Sequence, residues 1–201
     1  MSPTRKQIDF AKFNFQPVID LPDKYEVFDF ESSGEPFWNA TSPYGIGRYN
    51  EKRAIYTTEL FRDGGRCVHV GLDIGAPVGT PCRAFYDGTI LYQGYNAAAG
   101  DYGYTIITQH LLQDVELFAL WGHLSNSSMA LRKPGEAFRA GDVIGYLGDR
   151  HENGRWNPHL HFQLSYERPT THDMPGVVSE AERARALEIY PDPRLVLGQL
   201  Y

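Results

Sequence analysis

Between residues 54 and 164 the chain alternates short apolar runs with turn-forming residues, which is the pattern of a β protein. Gly, Pro, Asp and Asn interrupt the runs at close intervals, and these residues favour turns for steric and hydrogen-bonding reasons. Strand boundaries read from such a pattern are accurate to within ~2 to 4 residues. The predicted strands are 54–58, 83–86, 89–93, 104–109, 116–121, 143–147 and 159–166.

Two pairs of neighbouring runs predict hairpins. A turn signal at Gly88 separates runs 83–86 and 89–93, and Gly tolerates the positive φ that a tight hairpin turn demands. Runs 104–109 and 116–121 are close enough in sequence to pair in the same way. The chain is therefore expected to be mainly β, with antiparallel neighbours.

The two ends of the chain lack this strand pattern. Residues 1–48 are rich in Phe and Pro without clear periodicity, which predicts an N-terminal arm packed on the core. Ser179 and Glu182 have capping-box spacing ahead of an Ala-, Glu- and Arg-rich stretch that prolines then end. We expect a single β domain over 49–201, with a short C-terminal helix in an extension from about residue 178.

The composition of the chain restricts the kinds of partner and the cellular compartment that we expect. The formal net charge is −6, and Lys and Arg are scattered, which argues against a nucleic-acid partner. The opening segment, MSPTRKQIDFAKFNFQPVIDLPDKY, interrupts every apolar run with a polar residue. Because it offers neither a signal-peptide core nor a membrane span, we expect a cytoplasmic protein without a membrane partner. A leader that had already been removed would leave the same sequence.

The segment 159–164 carries the most chemical information. Its period-two alternation places His159, His161 and Gln163 on one face of a strand and three apolar residues on the other. The two imidazoles are then separated by roughly 6.6 Å at the backbone, so both can reach one small site. The alternative is a pair of exposed strand histidines.

A second ligand pair lies in the segment His69-Val70-Gly71-Leu72-Asp73. A straight strand would place His69 and Asp73 roughly 13 Å apart, too far to share a metal, so the chain must bend at Gly71. Together with His161 they make a set of two imidazoles and one carboxylate, which suits zinc or iron. The alternative is a surface histidine and a solvated aspartate.

The general base must then be a histidine. The sequence has no HExxH motif, and His151-Glu152 lacks a second His at the required spacing. His159 is one candidate. The other is His123, which follows an apolar run in Trp121-Gly122-His123.

These motifs together resemble the lysostaphin and LytM type of zinc metallopeptidase, many of which cut peptide crosslinks of bacterial cell walls. The resemblance runs through HVGLDIGAPVGTPCRAFYDGTI, DYGYTIITQH, LWGHLS, AGDVIGYLGD and PHLHFQL, in that order. It implies His69, Asp73 and His161 as zinc ligands and His123 and His159 as catalytic histidines. It also implies an antiparallel β-sheet or barrel-sandwich hybrid with the site in a groove, and a peptide or peptidoglycan-like substrate.

Other segments are similar to the peptidase-like domain found between phosphotransferase-like and aminotransferase domains in some fused bacterial proteins. They are YNEKRAIYTTELF, GDRHENGRWN, DMPG and YPDPRLVLG. The sequence departs from the wall-cutting members where HENGRWN replaces a small Ser/Thr/Gly turn, and it shows no export signal or wall-binding module. This leaves the chemistry intact and the substrate open.

Three other functions compete with a peptidase. An iron oxygenase also uses two histidines and a carboxylate, but its usual pattern is HxD, whereas three residues separate His69 from Asp73. A lipoyl- or biotinyl-type carrier domain needs a hairpin lysine, which neither Asp87-Gly88 nor Gly148-Asp149 supplies. A peptidase fold that binds metal without catalysing hydrolysis is the third.

The remaining chemical residues are given structural roles or none. Cys67 and Cys82 form no CxxC motif and are interpreted as buried, unreactive thiols, with an extra metal ligand at Cys67 or a disulfide as the alternatives. Tyr102 or Tyr104 could donate a hydrogen bond in the site, although core packing is favoured for both. His110 is interpreted as a structural hydrogen-bonding residue, and no role is given to two loop histidines, His151 and His172.

Overall fold

The computed structural model describes residues 8–31, 42–62 and 65–201. The described strands are β1 Glu26–Val27, β2 Gly45–Gly47, β3 Glu51–Lys52, β4 Arg66–His69, β5 Leu72–Gly75, β6 Pro81–Arg83, β7 Gly88–Asn96, β8 Gly103–Leu112, β9 Val115–Leu124, β10 Ala137–Phe138, β11 Val143–Tyr146, β12 His159–Ser165 and β13 Val177–Ser179. The described α-helices are α1 Glu59–Arg62, α2 Arg183–Ile189 and α3 Arg194–Leu197, and 3-10 turns cover Phe10–Lys12 and Asn126–Ala130.

Most of these strands belong to one large sheet. Its order is β1-β2-β5-β12-β9-β8-β7-β10, and two smaller sheets have the orders β11-β6 and β13-β4-β3. Apart from the parallel pair of β1 and β2, the described pairs are antiparallel. The expected mainly antiparallel β fold is confirmed, and in the described part the large sheet is open, with β1 and β10 at its edges.

The hairpin of β8 and β9 forms as predicted. Leu112 pairs with Val115, so the turn consists of Gln113 and Asp114. Both turn residues have positive φ, 48° and 64°, which is the conformation that matches the twist of a two-residue hairpin. This long hairpin and β12 form the centre of the sheet.

The predicted hairpin around Gly88 is wrong. The strand expected over 83–86 is shifted to Pro81–Arg83 and pairs with β11, whereas β7 pairs with β8 and β10. The chain leaves the small sheet after Arg83 and inserts the fully buried Phe85 into the core. Gly88 is the first residue of β7 and is not among the residues with positive φ.

The predicted strand over 54–58 is also wrong. This segment forms turns, and its side chains Ile55 and Tyr56 line a cavity instead of a sheet. The Tyr56 hydroxyl accepts a hydrogen bond from Arg53 at 3.0 Å. Ile55 and Tyr56 are therefore half-buried in a cavity wall and do not form a strand.

The core lies on the apolar face of β12. Leu160, Phe162 and Leu164 are fully buried and pack with residues such as Trp121 and Phe85. The period-two alternation predicted for this strand is confirmed. Its polar face is consequently directed toward the other side of the sheet.

Both described ends of the chain contact this core. Val18 is buried in it, and Phe15 packs against Phe85 with ring centroids 5.8 Å apart. Near the C-terminus, the backbone N–H and hydroxyl of Ser179 donate to Glu182 Oε2 at 3.0 and 2.7 Å. The expected short helix, α2, follows and begins at Arg183. The contact between Ser179 and Glu182 therefore closes the turn that precedes the helix. No helix in the described ranges is long and apolar enough to cross a membrane.

Candidate active site

The chain breaks between His69 and Asp73, as the glycine between them indicated. Strand β4 ends at His69 and β5 begins at Leu72, so no regular strand runs through Gly71, which confirms the prediction. A Cβ atom on Gly71 would lie 2.4 Å from ring atoms of His161. A larger residue cannot stand here because the His161 ring occupies the space of its side chain.

Strand register brings His161 to the same place. It lies opposite Asp73 on β5 and opposite Gly122 on β9, which puts it at the centre of the sheet. His69 Nε2 lies 3.0 Å from His161 Nδ1, and both nitrogens lie 3.2 Å from Asp73 Oδ1. The predicted convergence of these three side chains is confirmed, and all three are buried.

This triangle fits a divalent metal. Among the described residues, His69, Asp73 and His161 form the group that could hold one. Ligand atoms bonded at ~2.0 to 2.2 Å to a tetrahedral zinc are about 3.3 to 3.6 Å apart. The observed separations of 3.0 to 3.2 Å are slightly shorter, so the three ligand atoms would need to move only slightly apart to bind zinc.

The hydrogen bonds on the far side of both imidazoles, away from the triangle, also support a metal site. His69 Nδ1 donates to the Arg48 carbonyl oxygen at 2.9 Å, and His161 Nε2 donates to Gln163 Oε1 at 3.0 Å. The Gln163 amide is oriented by its own donation to the Pro175 carbonyl at 3.2 Å. Each ring therefore carries its proton on the outer nitrogen, and the two inner nitrogens face each other as lone pairs that a cation would satisfy.

A buried cation holds the carboxylate ligand. Arg53 donates to Asp73 Oδ2 at 2.7 Å and to Glu51 Oε2 at 2.8 Å, and it also donates to the Arg48 carbonyl and the Tyr56 hydroxyl, each at 3.0 Å. Burial would raise the pKa of Asp73, but His69 and Arg53 outweigh it and hold that pKa well below its usual value. Asp73 is therefore ionised and keeps Oδ1 for the metal.

Burial also prepares His69 as a ligand. It lowers the pKa of His69 to about 4, with Arg53 acting in the same direction and Asp73 opposing. The ring is consequently neutral at pH 7, as an imidazole ligand must be.

The other two histidines of the sequence prediction lie together beside this triangle. The rings of His123 and His159 have centroids 4.1 Å apart, and His159 Nε2 lies 3.8 Å from Asp73 Oδ1. Burial, reinforced by His159 and His161, holds the pKa of His123 well below its ordinary value, and burial lowers the pKa of His159 as well. Both rings are neutral at pH 7 and can accept a proton.

Tyr102 lies next to the site, whereas its sequence context favoured a role in core packing. Its hydroxyl donates to the Met174 carbonyl at 3.2 Å and lies 3.5 Å from His161 Nε2. Burial raises its pKa well above the ordinary value, so the phenol keeps its proton. Gly176 makes room for it, because a Cβ there would lie 1.8 Å from the Tyr102 oxygen.

A cavity of about 290 Å³ opens onto these residues. All five predicted site residues border it. The rest of the lining includes apolar side chains such as Ile55, Leu60 and Phe61, and it also includes Trp156. The site is therefore accessible from the cavity.

The remaining histidines and cysteines lie outside this group. His110 is buried and bonded to Thr108 Oγ1 at 2.8 Å and to the Asp87 carbonyl at 3.0 Å, which confirms its structural role. His151 and His172 lie in loops away from the metal-ligating group. Neither cysteine forms a disulfide, and Cys82 is buried whereas Cys67 is half-buried.

Sequence reasoning missed Arg53 and Glu51. They flank Lys52 in the sequence, so alternation could have placed them on the same face. Nothing in the local pattern indicated that both would be buried, with exposures of 4% and 5%, since charged residues are rarely buried without a partner.

Several known proteins that are similar to this chain are peptidases, which agrees with the metal-binding geometry of the site. Residues 67–173 match the model of Peptidase family M23. The DD-carboxypeptidase/endopeptidase Mpg of Neisseria meningitidis serogroup B is 38% identical over 124 residues, which are 61% of this chain and 23% of that protein. The peptidoglycan DD-endopeptidase ShyC of Vibrio cholerae is 34% identical over 127 residues, 58% of this chain and 25% of that protein. The chain thus spans about a quarter of the length of the curated relatives it matches.

A solved structure of the antimicrobial peptidase lysostaphin from Staphylococcus simulans is 23% identical, with a TM-score of 0.49, and the alignment covers 79% of this chain and 53% of that one. The stronger finding is the family model, which covers more than half of the residues and contains the segments that bear His69, Asp73, His123, His159 and His161. On these grounds the chain belongs to peptidase family M23.

Proposed function

We propose that this chain is a zinc metalloendopeptidase that hydrolyses an amide bond in the peptide part of peptidoglycan or a similar peptide. The observation that carries the proposal is the convergence of His69, Asp73 and His161 within 3.2 Å of one another, beside the neighbouring rings of His123 and His159. The names of two relatives, a DD-carboxypeptidase/endopeptidase and a peptidoglycan DD-endopeptidase, support the substrate class.

The three converging side chains would hold the zinc ion. Two neutral imidazoles and one carboxylate are a common ligand set for catalytic zinc, which leaves further positions open. When bound, zinc would supply Lewis acidity, which polarises a peptide carbonyl and lowers the pKa of water to about 7. Arg53 fixes the carboxylate, and Gln163 fixes the ring of His161.

His159 and His123 would move the protons. Nε2 of His159 is directed toward the ligand group, 3.8 Å from Asp73 Oδ1, so we assign it the proton of the attacking water. His123, whose ring lies next to that of His159 and is tilted against it, would stabilise the oxyanion or protonate the leaving amine. The phenol of Tyr102 stays protonated and donates to the Met174 carbonyl, so it could donate to a substrate only by exchanging that partner.

The competing functions find less support. A match to a peptidase family favours hydrolysis over an iron oxygenase or a carrier domain. A fold that binds metal without catalysis would not need an open path to the site, yet the cavity reaches both the triangle and the histidine pair. The cytoplasmic location stays a prediction, to be tested by cell fractionation.

The test is hydrolysis of purified peptidoglycan. The zinc-loaded chain should release soluble fragments whose masses, measured by liquid chromatography and mass spectrometry, show one added water per cleaved amide. His161→Ala and a chelator-treated sample serve as controls and should release none. Intact peptidoglycan and an intact peptide library after incubation with the zinc-loaded protein would refute the proposal.

A further inference from the structure

The two proton-transfer histidines are held by one loop. His123 Nδ1 lies 2.8 Å from the Asn153 carbonyl oxygen, and His159 Nδ1 lies 2.6 Å from the Asn157 carbonyl oxygen. A carbonyl oxygen accepts hydrogen bonds and donates none, so each ring carries its proton on Nδ1. The unprotonated nitrogen of each ring is therefore Nε2, the atom available for chemistry.

This loop, residues 148–157, is closed from inside by the side chain of Asn153. The side chain is fully buried, and its Nδ2 donates to the carbonyl oxygens of Gly148 at 3.2 Å and Trp156 at 3.1 Å. Because both partners are acceptors, the orientation of the amide is fixed. One amide group thus ties the start of the loop to the residue that precedes Asn157.

The outer side of the loop is fastened to the rest of the protein. The Gly154 carbonyl accepts from Gly100 at 3.1 Å, and Glu152 Oε2 accepts from the Asn126 backbone at 2.8 Å. Gly154 has φ 82° and lies so close to Asp101 that a Cβ atom would stand 1.7 Å from its carbonyl oxygen. These contacts fix the outer side of the loop, whereas the Asn153 amide holds the Gly148 and Trp156 carbonyls on its inner side.

The same loop contributes to the substrate cavity. Trp156 lines the cavity beside the histidine pair, and its carbonyl oxygen is one of the two that Asn153 binds. The wall that would contact a substrate and the acceptors that orient the histidines are therefore parts of one segment.

We propose that residues 148–157 form the positioning element for proton transfer and that Asn153 is the positioning residue within it. This inference rests on the proposed function for its catalytic consequence. Asn153 touches no reacting atom. It acts by keeping two carbonyl groups against two Nδ1–H groups, which holds both histidines in the tautomer that leaves Nε2 unprotonated.

The test combines ring tautomers with kinetics on the zinc-loaded full chain. Long-range ¹⁵N NMR of the imidazoles should show His123 and His159 protonated on Nδ1. In Asn153→Ala the ¹⁵N shifts of both rings should move toward a mixture of tautomers. Its kcat should fall about 10- to 100-fold, the range typical of residues that orient groups in a metal site, while KM and the zinc content stay unchanged.

A matched control and a milder variant bound the effect. His151→Ala removes an exposed side chain of the same loop and should leave the ring shifts and kcat as in the unmodified protein. Asn153→Ser keeps one donor and should give a smaller loss than alanine.

Two results would overturn the inference. One is a wild-type spectrum in which either ring is protonated on Nε2, and it requires no variant to fold. The other is an Asn153→Ala protein with unchanged ring shifts and kcat. If wild-type protein shows the Nδ1–H tautomers but hydrolyses no peptide, the proposed function fails while the positioning of the rings stands.

Discussion

The two halves of the site are held in different ways. On the metal side, Asp73 is fixed by the Arg53 guanidinium and His161 by the Gln163 amide, so side chains position two of the three ligands, and the Arg48 carbonyl holds His69. On the proton-transfer side, His123 and His159 are each fixed by a main-chain carbonyl of the loop 148–157. The first half rests on strands and buried charge, and the second on the path of a loop.

This difference predicts different responses to mutation. Removing a side chain on the metal side deletes a ligand or its counter-charge, so metal affinity should change. Removing a side chain on the proton-transfer side leaves the ligands in place, so turnover should change at constant metal content. Measurements of zinc and turnover on the same variants can separate the two halves.

The largest effect is expected for His161→Ala. The variant loses one of three ligands and leaves Asp73 and His69 facing a cavity, so both bound zinc and hydrolysis should be lost. Metal content measured by mass spectrometry after dialysis, together with peptidoglycan hydrolysis, checks this. A variant that kept one zinc per chain would show that His161 is not a ligand.

The next effect is expected for His123→Ala and His159→Ala. Each should keep about one zinc per chain and lose turnover by ~10² to 10⁴, as for a general acid or base. The double variant should lose less than the product of the two, since both rings serve one proton-transfer step. Near-normal hydrolysis in either single variant would contradict its role, and loss of zinc from the His159 variant would move that residue to the metal side.

A smaller effect is expected for Arg53→Met. Methionine keeps an aliphatic chain but leaves Asp73 and Glu51 buried without their cation, so the zinc Kd should rise about 10- to 100-fold. Competition with a chromophoric chelator measures it. Arg48→Ala is the control, because it removes a half-exposed guanidinium paired with Asp29 and keeps the carbonyl that binds His69. Equal affinities in both variants would contradict the role of Arg53.

The smallest effect concerns stability and pH, and it uses His110 as a buried histidine outside the site. Burial lowers the pKa of His110 to about 4 from its ordinary value of 6.5. Between these values the unfolded chain binds the proton and the folded chain does not, so stability falls as the pH drops through this window.

The metal-free protein should therefore lose ~1.4 kcal/mol per pH unit for each such histidine as the pH decreases from 6.5 to 4. His110→Gln should make the slope shallower by that amount relative to the unmodified protein. Denaturant unfolding at pH 6.5, 5.5 and 4.5 measures the slopes. An unchanged slope in His110→Gln would show that His110 is protonated in the folded protein.

Regular alternation was the part of the fold that the sequence made predictable. In β12 each second residue is apolar and fully buried, so the pattern reports both the strand and its two faces. The glycine between His69 and Asp73 indicated the break because the metal geometry left no other arrangement. The resemblance to known peptidases then selected which histidines bind and which transfer protons.

Pairing partners and buried charges could not be predicted in this way. The residues before Gly88 look like half of a hairpin, but their actual partner, β11, lies about 60 residues further on, and local periodicity contains no information about it. Arg53 looks like a surface residue in Glu51-Lys52-Arg53, and its burial depends on Asp73, 20 positions away. Both failures concern long-range contacts.

The carbonyl oxygens that bind His69, His123 and His159 belong to Arg48, Asn153 and Asn157, and they have a consequence for protein design. A designer who grafted the five site residues onto another β scaffold would copy the ligands and the acid–base pair but leave their four hydrogen-bond acceptors behind, three of which are main-chain carbonyls. Grafting must therefore transfer the backbone path at residues 48 and 148–157, where side-chain identity alone is an incomplete specification of the catalyst.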